Sequence, residues 1–234
     1  MEENQVLQDP SLIMDPNAAP VSFADQVVEF IQSGGVFMYI IILVWIFGLV
    51  IAAYKFYKLY FKDDVDGSSF MNELQRYVLS NDIQGAIRVC SGSVAALPRV
   101  LKSGLKRATQ NLEQVQNAVD ATALEVIPKV ERGLSYITLF ANITTLLGLL
   151  GTIFGLIQSF AAVSQADPQD KAELLSRGIS TAMNTTAAGL IAAITLMLVH
   201  AVLSGKAEKI ISQIDEFSVK LLDLIGTKNE TDKA

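Results

Sequence analysis

The 234 residues are 51% hydrophobic and 18% charged, with a mean hydropathy of +0.39 and a formal net charge of −6. A soluble domain carries roughly 25% charged residues, so a chain this apolar has too little polar surface to cover a core in water. The acidic balance argues against nucleic acid as a partner, the lone Cys90 excludes an intrachain disulfide, and the chain holds no Cys/His cluster, Gly-rich phosphate loop or Ser-His-Asp set; no enzyme, metal or cofactor is expected.

Residues 1–22, with Pro10, Pro16 and Pro20, read as a disordered tail. Residues 23–58 read as an amphipathic segment followed by a first transmembrane helix. From Phe30 to Tyr54, 25 residues lack Asp, Glu, Lys and Arg, and a bilayer core needs about 20 apolar helical residues. A cleaved signal peptide starts with basic residues; here the first, Lys55, follows the apolar stretch Val36 to Ala53. Tyr54, Tyr57, Tyr60 and Phe61 form an interfacial aromatic belt at its exit. Tyr39 and Trp45, inside the span, are expected to pack against neighbouring helices or lipid.

Residues 59–132 read as a helical domain. Phe70, Met71, Leu74, Tyr77 and Val78 recur at helical spacing, and Asn81 or Asp82 can cap a short helix carrying Ile83, Ala86, Ile87 and Cys90. Ser91-Gly92-Ser93 and Pro98 punctuate the chain. From Leu112, apolar residues at Val115, Val119, Val126 and Val130 run without a clear stop into the next span, with Pro128 as a candidate kink.

Two further windows free of Asp, Glu, Lys and Arg, Gly133 to Ala166 and Gly178 to Gly205, are 34 and 28 residues long. They give transmembrane helices over 133–163 and 178–205, with a loop over 164–177 and a C-terminal helix and tail over 206–234. Ile210, Ile211, Ile214, Phe217, Leu221 and Ile225 continue an apolar stripe. An unbroken helix from Gly178 to Ile225 is roughly 70 Å long, twice a bilayer core, and implies a projecting stalk. A separate helix after a break at Gly205 is the less favoured alternative.

Positive charge orients the chain. Residues 1–54 hold no Lys or Arg, whereas Lys55, Lys58 and Lys62 follow the first span, Lys129 and Arg132 precede the second, and Lys206 and Lys209 follow the third. This places the N-terminus and the 164–177 loop outside, and 59–132 and the C-terminus in the cytoplasm, with 16 of the 18 basic residues inside. The fold class is an all-α integral membrane protein of three transmembrane helices with long cytoplasmic extensions.

The polar residues within the spans carry the functional reading. Thr138, Thr145, Gly148, Thr152, Gly155 and Ser159 lie near one face of the second span. Thr181, Thr185, Ala188, Ala192 and Thr195 stripe the third, with Asn184 and Thr186 beside them. Gly151 and Gly155 form a small-xxx-small pair that admits a close neighbour, and Gly148 and Gly189 join them as helix-packing candidates. A membrane Thr often only bonds its own helix carbonyl. Two such stripes together favour a polar interior surface, a lined cavity or a docking face for another helix. Intramembrane ion carriers normally use carboxylates or histidines, yet no span holds Asp, Glu or Lys. If protons pass, the titrating group comes from a partner. His200 reads as an interfacial histidine, a relay role being the lesser alternative.

Leu147-Gly-Leu-Leu-Gly-Thr-Ile-Phe-Gly-Leu-Ile-Gln-Ser-Phe160 and Gly178-Ile-Ser-Thr-Ala-Met-Asn-Thr-Thr-Ala-Ala-Gly-Leu-Ile-Ala-Ala-Ile194 resemble the second- and third-span signatures of the MotA/TolQ/ExbB proton-channel proteins. The resemblance covers roughly residues 23 to 225, and the three-span plan is more similar to ExbB and TolQ than to the four-span MotA. It implies a pentameric helical bundle in the bacterial inner membrane. Single-span partners of the ExbD/TolR type stand in its pore, each carrying a titrating Asp. It further implies that Thr152 and Thr186 face that Asp and that proton flow drives rotation; Thr145, Thr181 and Thr185, from the two stripes, are read as further ion-pathway residues. A TonB-like or motility protein spanning the periplasm would take up the work, in outer-membrane transport, envelope maintenance or motility. The family's third-span Glu is replaced by Thr181, which leaves an uncharged lining and admits sodium as coupling ion. A non-conducting oligomeric scaffold is the second reading. A solute transporter is disfavoured, because inverted repeats and broken helices are missing.

Overall fold

A computed structural model describes residues 23–231; the tail read over 1–22 lies outside the described residues. Helix α1 (Phe23–Ser33) is followed by α2 (Gly35–Tyr57), a π-helical turn (Lys58–Lys62), α3 (Gly67–Leu79), α4 (Ile83–Ser91), α5 (Ala96–Leu105), α6 (Leu112–Glu131), α7 (Leu134–Gln165) and α8 (Lys171–Thr231). No strand occurs among the described residues. Helices α2, α7 and α8 carry the three segments long and apolar enough to cross a membrane.

The chain divides into two compact units. The first comprises the described residues of Met1–Ile41 with Leu146–Gly189; the second comprises Ile42–Thr145 with the described residues of Leu190–Ala234. In the first unit, Gly35 adopts φ +64°, a left-handed conformation that glycine takes at little cost, and this ends α1 and restarts the chain as α2. Phe37 packs against Phe154 with ring centroids 5.2 Å apart. The outward side of α7 is a sheet of exposed Leu149, Leu150, Ile153, Phe154, Ile157 and Phe160, which suits lipid or protein neighbours in a bilayer.

The second unit holds the main core. Met71, Leu74 and Val78 of α3, Val100, Leu101 and Leu105 of α5, and Val115 and Val119 of α6 bury against Ile214, Phe217, Leu221 and Ile225 of α8. Full burial of each such side chain stabilises by about 1.5–3 kcal/mol, so this cluster explains why α8 stays helical well past its apolar span. Gly205 causes no break: α8 passes through it, with nothing within 4 Å of where a Cβ would stand. Asp82 caps α4, its Oδ1 accepting from the Gly85 amide at 2.8 Å, while Asn81 takes φ +62° just before it.

One expected continuity fails. The helical pattern from Leu112 does not run on into the second span; α6 ends at Glu131 and Gly133, at φ +102°, turns the chain into α7. Pro128 sits inside α6, and its carbonyl still accepts from the Arg132 amide at 2.9 Å. Proline removes its own N–H but not its carbonyl, so the glycine ends the helix and the proline does not.

Candidate ion-pathway face

The first unit builds its polar surface from a seam between α7 and α8. Gly148, Gly151, Gly155 and Ser159 of α7 step along one helical face at intervals of three and four. Facing them in reverse order are Gly189, Thr185, Ala182 and Gly178 of α8. A Cβ on Gly148 would stand 3.3 Å from the Gly189 Cα and the Thr185 carbonyl. One on Gly151 would meet Thr185 Oγ1 at 2.6 Å, one on Gly155 would meet the Ala182 Cβ at 3.0 Å, and one on Gly178 would overlap Ser159 Oγ. The helices therefore touch backbone to backbone. In a membrane such contact brings dispersion attraction that bulky side chains would prevent.

The structure places the five threonines singled out from sequence in different settings. Thr185 is 1% exposed, held in the seam, with Oγ1 donating to the Ala182 carbonyl at 2.7 Å. Thr186 donates across the seam to the Gly148 carbonyl at 2.9 Å. Thr152 donates to Leu149 O at 2.6 Å and Thr181 to Arg177 O at 3.1 Å, and both are partly exposed. Thr145, in the second unit, donates to Ala141 O at 3.1 Å. Gly148, Gly151, Gly155 and Gly189 all fall in the seam.

The chemistry follows from where these protons point. A hydroxyl has one O–H and two lone pairs. With each O–H committed to a backbone carbonyl, Thr152, Thr181 and Thr186 present lone pairs to anything that approaches. They can accept a hydrogen bond from a protonated carboxylic acid or a hydrated proton, or ligate a hard cation, but they cannot titrate. A recess of about 190 Å³ opens at the loop end of the seam, lined by Gln158, Ser159, Arg177 and Thr181 among others. Among the described residues, no group of three or more His, Cys, Asp or Glu side chains is placed to hold a metal.

Three polar contacts were not foreseen. Asn184 Nδ2 donates to Ser33 Oγ at 2.8 Å in the first unit. In the second, Trp45 Nε1 donates to Thr195 Oγ1 at 2.8 Å; the sequence left Trp45 facing either helices or lipid. Also in the second unit, Lys55 is 4% exposed and its Nζ donates to the Val130 carbonyl at 2.9 Å. Lys55 entered the sequence reading as an orienting charge, and nothing in its neighbours along the chain signals burial. His200 is half-buried, in the second unit.

Residues 93–216 match the MotA/TolQ/ExbB proton channel family over more than half of the chain. The chain belongs to this family. Among individual MotA/TolQ/ExbB relatives, a putative biopolymer transport protein ExbB homolog of Methanothermobacter thermautotrophicus is 26% identical over 205 residues, covering 87% of this chain and 71% of that protein. The biopolymer transport protein exbB1 of Vibrio cholerae is 37% identical over 83 residues, 36% of each chain. The solved structure of C. jejuni MotAB aligns with a TM-score of 0.62 at 14% identity, covering 86% of this chain and 83% of that one, a likeness of fold. The glycine seam and Thr152 lie inside the family match.

Proposed function

We propose that the chain is the channel-scaffold, or stator, subunit of an ExbB/TolQ-like motor of the bacterial inner membrane. In this reading α2, α7 and α8 cross the bilayer with the N-terminus periplasmic and the C-terminus cytoplasmic. The segments 59–132 and 206–234 form the cytoplasmic part, 164–177 the periplasmic connection, of which only 166–170 lie outside α7 and α8, and five copies surround the partner helices. Family membership and the MotAB-like fold support the stator role. The observation that carries the mechanism is the set of lone pairs left on Thr152, Thr181 and Thr186 once their O–H groups are committed, in apolar windows that hold no Asp, Glu, Lys or Arg. Such a lining accepts a proton-bearing carboxyl brought by an ExbD/TolR-like single-span helix, stabilises its neutral form, and releases it where water re-enters. Proton motive force would thereby drive transport, envelope or motility work through a TonB-like or motility protein.

Sodium is the second reading, favoured by hydroxyl-bearing residues, Thr181 among them, in spans that hold no carboxylate. Hydroxyl and carbonyl oxygens suit hard cations.

The deciding experiment reconstitutes the full chain with its single-span partner in liposomes and follows proton and sodium flux. Proton flux that requires the partner and is lost in the Thr152→Val/Thr186→Val variant is expected. Sodium flux with the same dependence changes the fuel and keeps the motor. Absence of both fluxes with an intact, partner-bound oligomer rejects conduction in favour of a scaffold.

A further inference from the structure

Where α2 leaves its apolar stretch, the second unit carries a small cationic recess that ion conduction does not use. It has a volume of about 150 Å³ and is lined by Lys58, Lys62 and Asp63 from the π-turn and its end, by Arg99 from α5, and by Lys129 from α6, over a floor of Val94, Ala96, Val126 and Val130. Four cations thus face one carboxylate. Lys129 is paired with Glu125, but Lys58, Lys62 and Arg99 make no ion pair within 4.0 Å among the described residues. The nearby Lys206 shows the contrast: it is satisfied by Asp64 at 2.6 Å and lies over the Tyr60 ring.

The recess sits at the level of a membrane surface. The end of α2 and the end of α6, one link before α7, meet there through the Lys55–Val130 hydrogen bond, so two apolar spans start or finish beside it. Next to Lys58 and Lys62, the exposed face of α2 and the π-turn runs Leu43, Phe47, Val50, Tyr54, Tyr57, Phe61 in helical steps. Tyr57 and Phe61 stack with centroids 5.3 Å apart. Amphipathic rings of this kind belong at headgroup depth. An apolar track that ends in unpaired cations matches a molecule with acyl chains and an anionic head, and basic pockets beside transmembrane helices bind such heads.

We propose that this recess is a binding site for the phosphate of an anionic phospholipid, held by Lys58, Lys62 and Arg99 with its acyl chains along the Leu43–Phe61 face of α2 and the π-turn. The site holds whichever side of the membrane this surface faces. A lipid bound here would bridge the π-turn, α5 and α6, and so tie the helical bundle to the headgroup layer at a fixed depth.

The test is native mass spectrometry of the full chain released from micelles containing equal phosphatidylglycerol and phosphatidylcholine. Wild type is expected to retain phosphatidylglycerol preferentially. Each cation removed should lower that retention about fivefold, so Lys62→Gln/Arg99→Gln should lower it by about twenty-five-fold. Both side chains are exposed, so the variant should keep the wild-type helicity and oligomer size, and Lys106→Gln/Arg107→Gln, outside the recess, should bind as wild type does. Equal retention of the two lipids overturns the proposal, as does an equal loss in both double variants. Displacement of the lipid by inorganic phosphate at millimolar concentration also overturns it, showing a site for soluble anions.

Discussion

The ammonium of Lys55 donates to the main-chain carbonyl of Val130 at 2.9 Å, with the lysine 4% and the valine 3% exposed. Val130 is in the last turn of α6, where carbonyls lack partners along the helix and a positive charge is favoured. Gly133 makes room for it: a Cβ there would lie 2.8 Å from the Lys55 Cε. Lys55→Ala leaves that carbonyl unpaired and removes the packed stem, and should cost about 2 kcal/mol. Gly133→Ala adds a clash to a φ of +102° and should cost about as much or more. Thermal unfolding in detergent, followed by circular dichroism, checks both.

Glycines inside and outside the seam predict opposite outcomes on substitution. Gly151→Leu and Gly155→Leu force α7 and α8 apart, and the oligomer should be lost or altered on native gels. Gly205→Ala meets nothing within 4 Å and should stabilise by about 0.5–1 kcal/mol, since glycine is a poor residue in a helix interior. A Gly205→Ala protein that unfolds earlier than wild type would show that a neighbour in the assembly approaches this point.

Thr152 and Thr186 separate conduction from folding. Thr152→Val removes a lone-pair donor whose O–H serves only its own helix, so ion flux and work output should vanish while the oligomer persists; Thr152→Ser should restore flux. Thr186→Val also breaks a hydrogen bond across the seam, worth about 0.5–1.5 kcal/mol, and should lower the melting temperature as well. Flux and melting measured on the same preparations distinguish the two.

Cys90 should be silent to thiol reagents. It is 1% exposed and free, and burial pushes its pKa up to about 12, so at pH 8 almost no reactive thiolate is present. Maleimide should label the denatured chain and leave the folded one unmarked, read by intact mass. Rapid labelling of the folded protein would mean that α4 opens readily.

Much of this architecture was legible in the residues. The three apolar segments stand out because charge is absent from windows longer than a bilayer is thick, and the stripe from Ile210 to Ile225 declares a helix by its period. Asp82 as a cap follows from local chemistry alone. What sequence could not supply is register between helices. Gly151 opposes Thr185, and Gly178 opposes Ser159, only because α7 and α8 slide to one relative position, and periodicity within a helix is blind to that choice. The burial of Lys55 was out of reach for the same reason. Its burial depends on the end of α6, 75 residues away. Pro128, read as a candidate kink, lies inside α6, and the helix end that the sequence reading missed is set by the quieter Gly133.

The π-helical turn at Lys58–Lys62 has a consequence for the length of the chain. A π-turn closes over five residues instead of four, so it holds one residue more than an α-helix would. The exposed apolar face of α2 sets one angular phase, while the core of the second unit requires Leu59 of the turn to point inward. The widened turn absorbs the mismatch between those two demands, as a spacer does between two machined parts. Deleting one residue from this stretch should convert it to ordinary helix and turn the residues between the deletion and Lys62 by about 100° relative to α2, the non-helical link 63–66 taking up the change before α3, whereas a conservative substitution within it leaves the phase untouched.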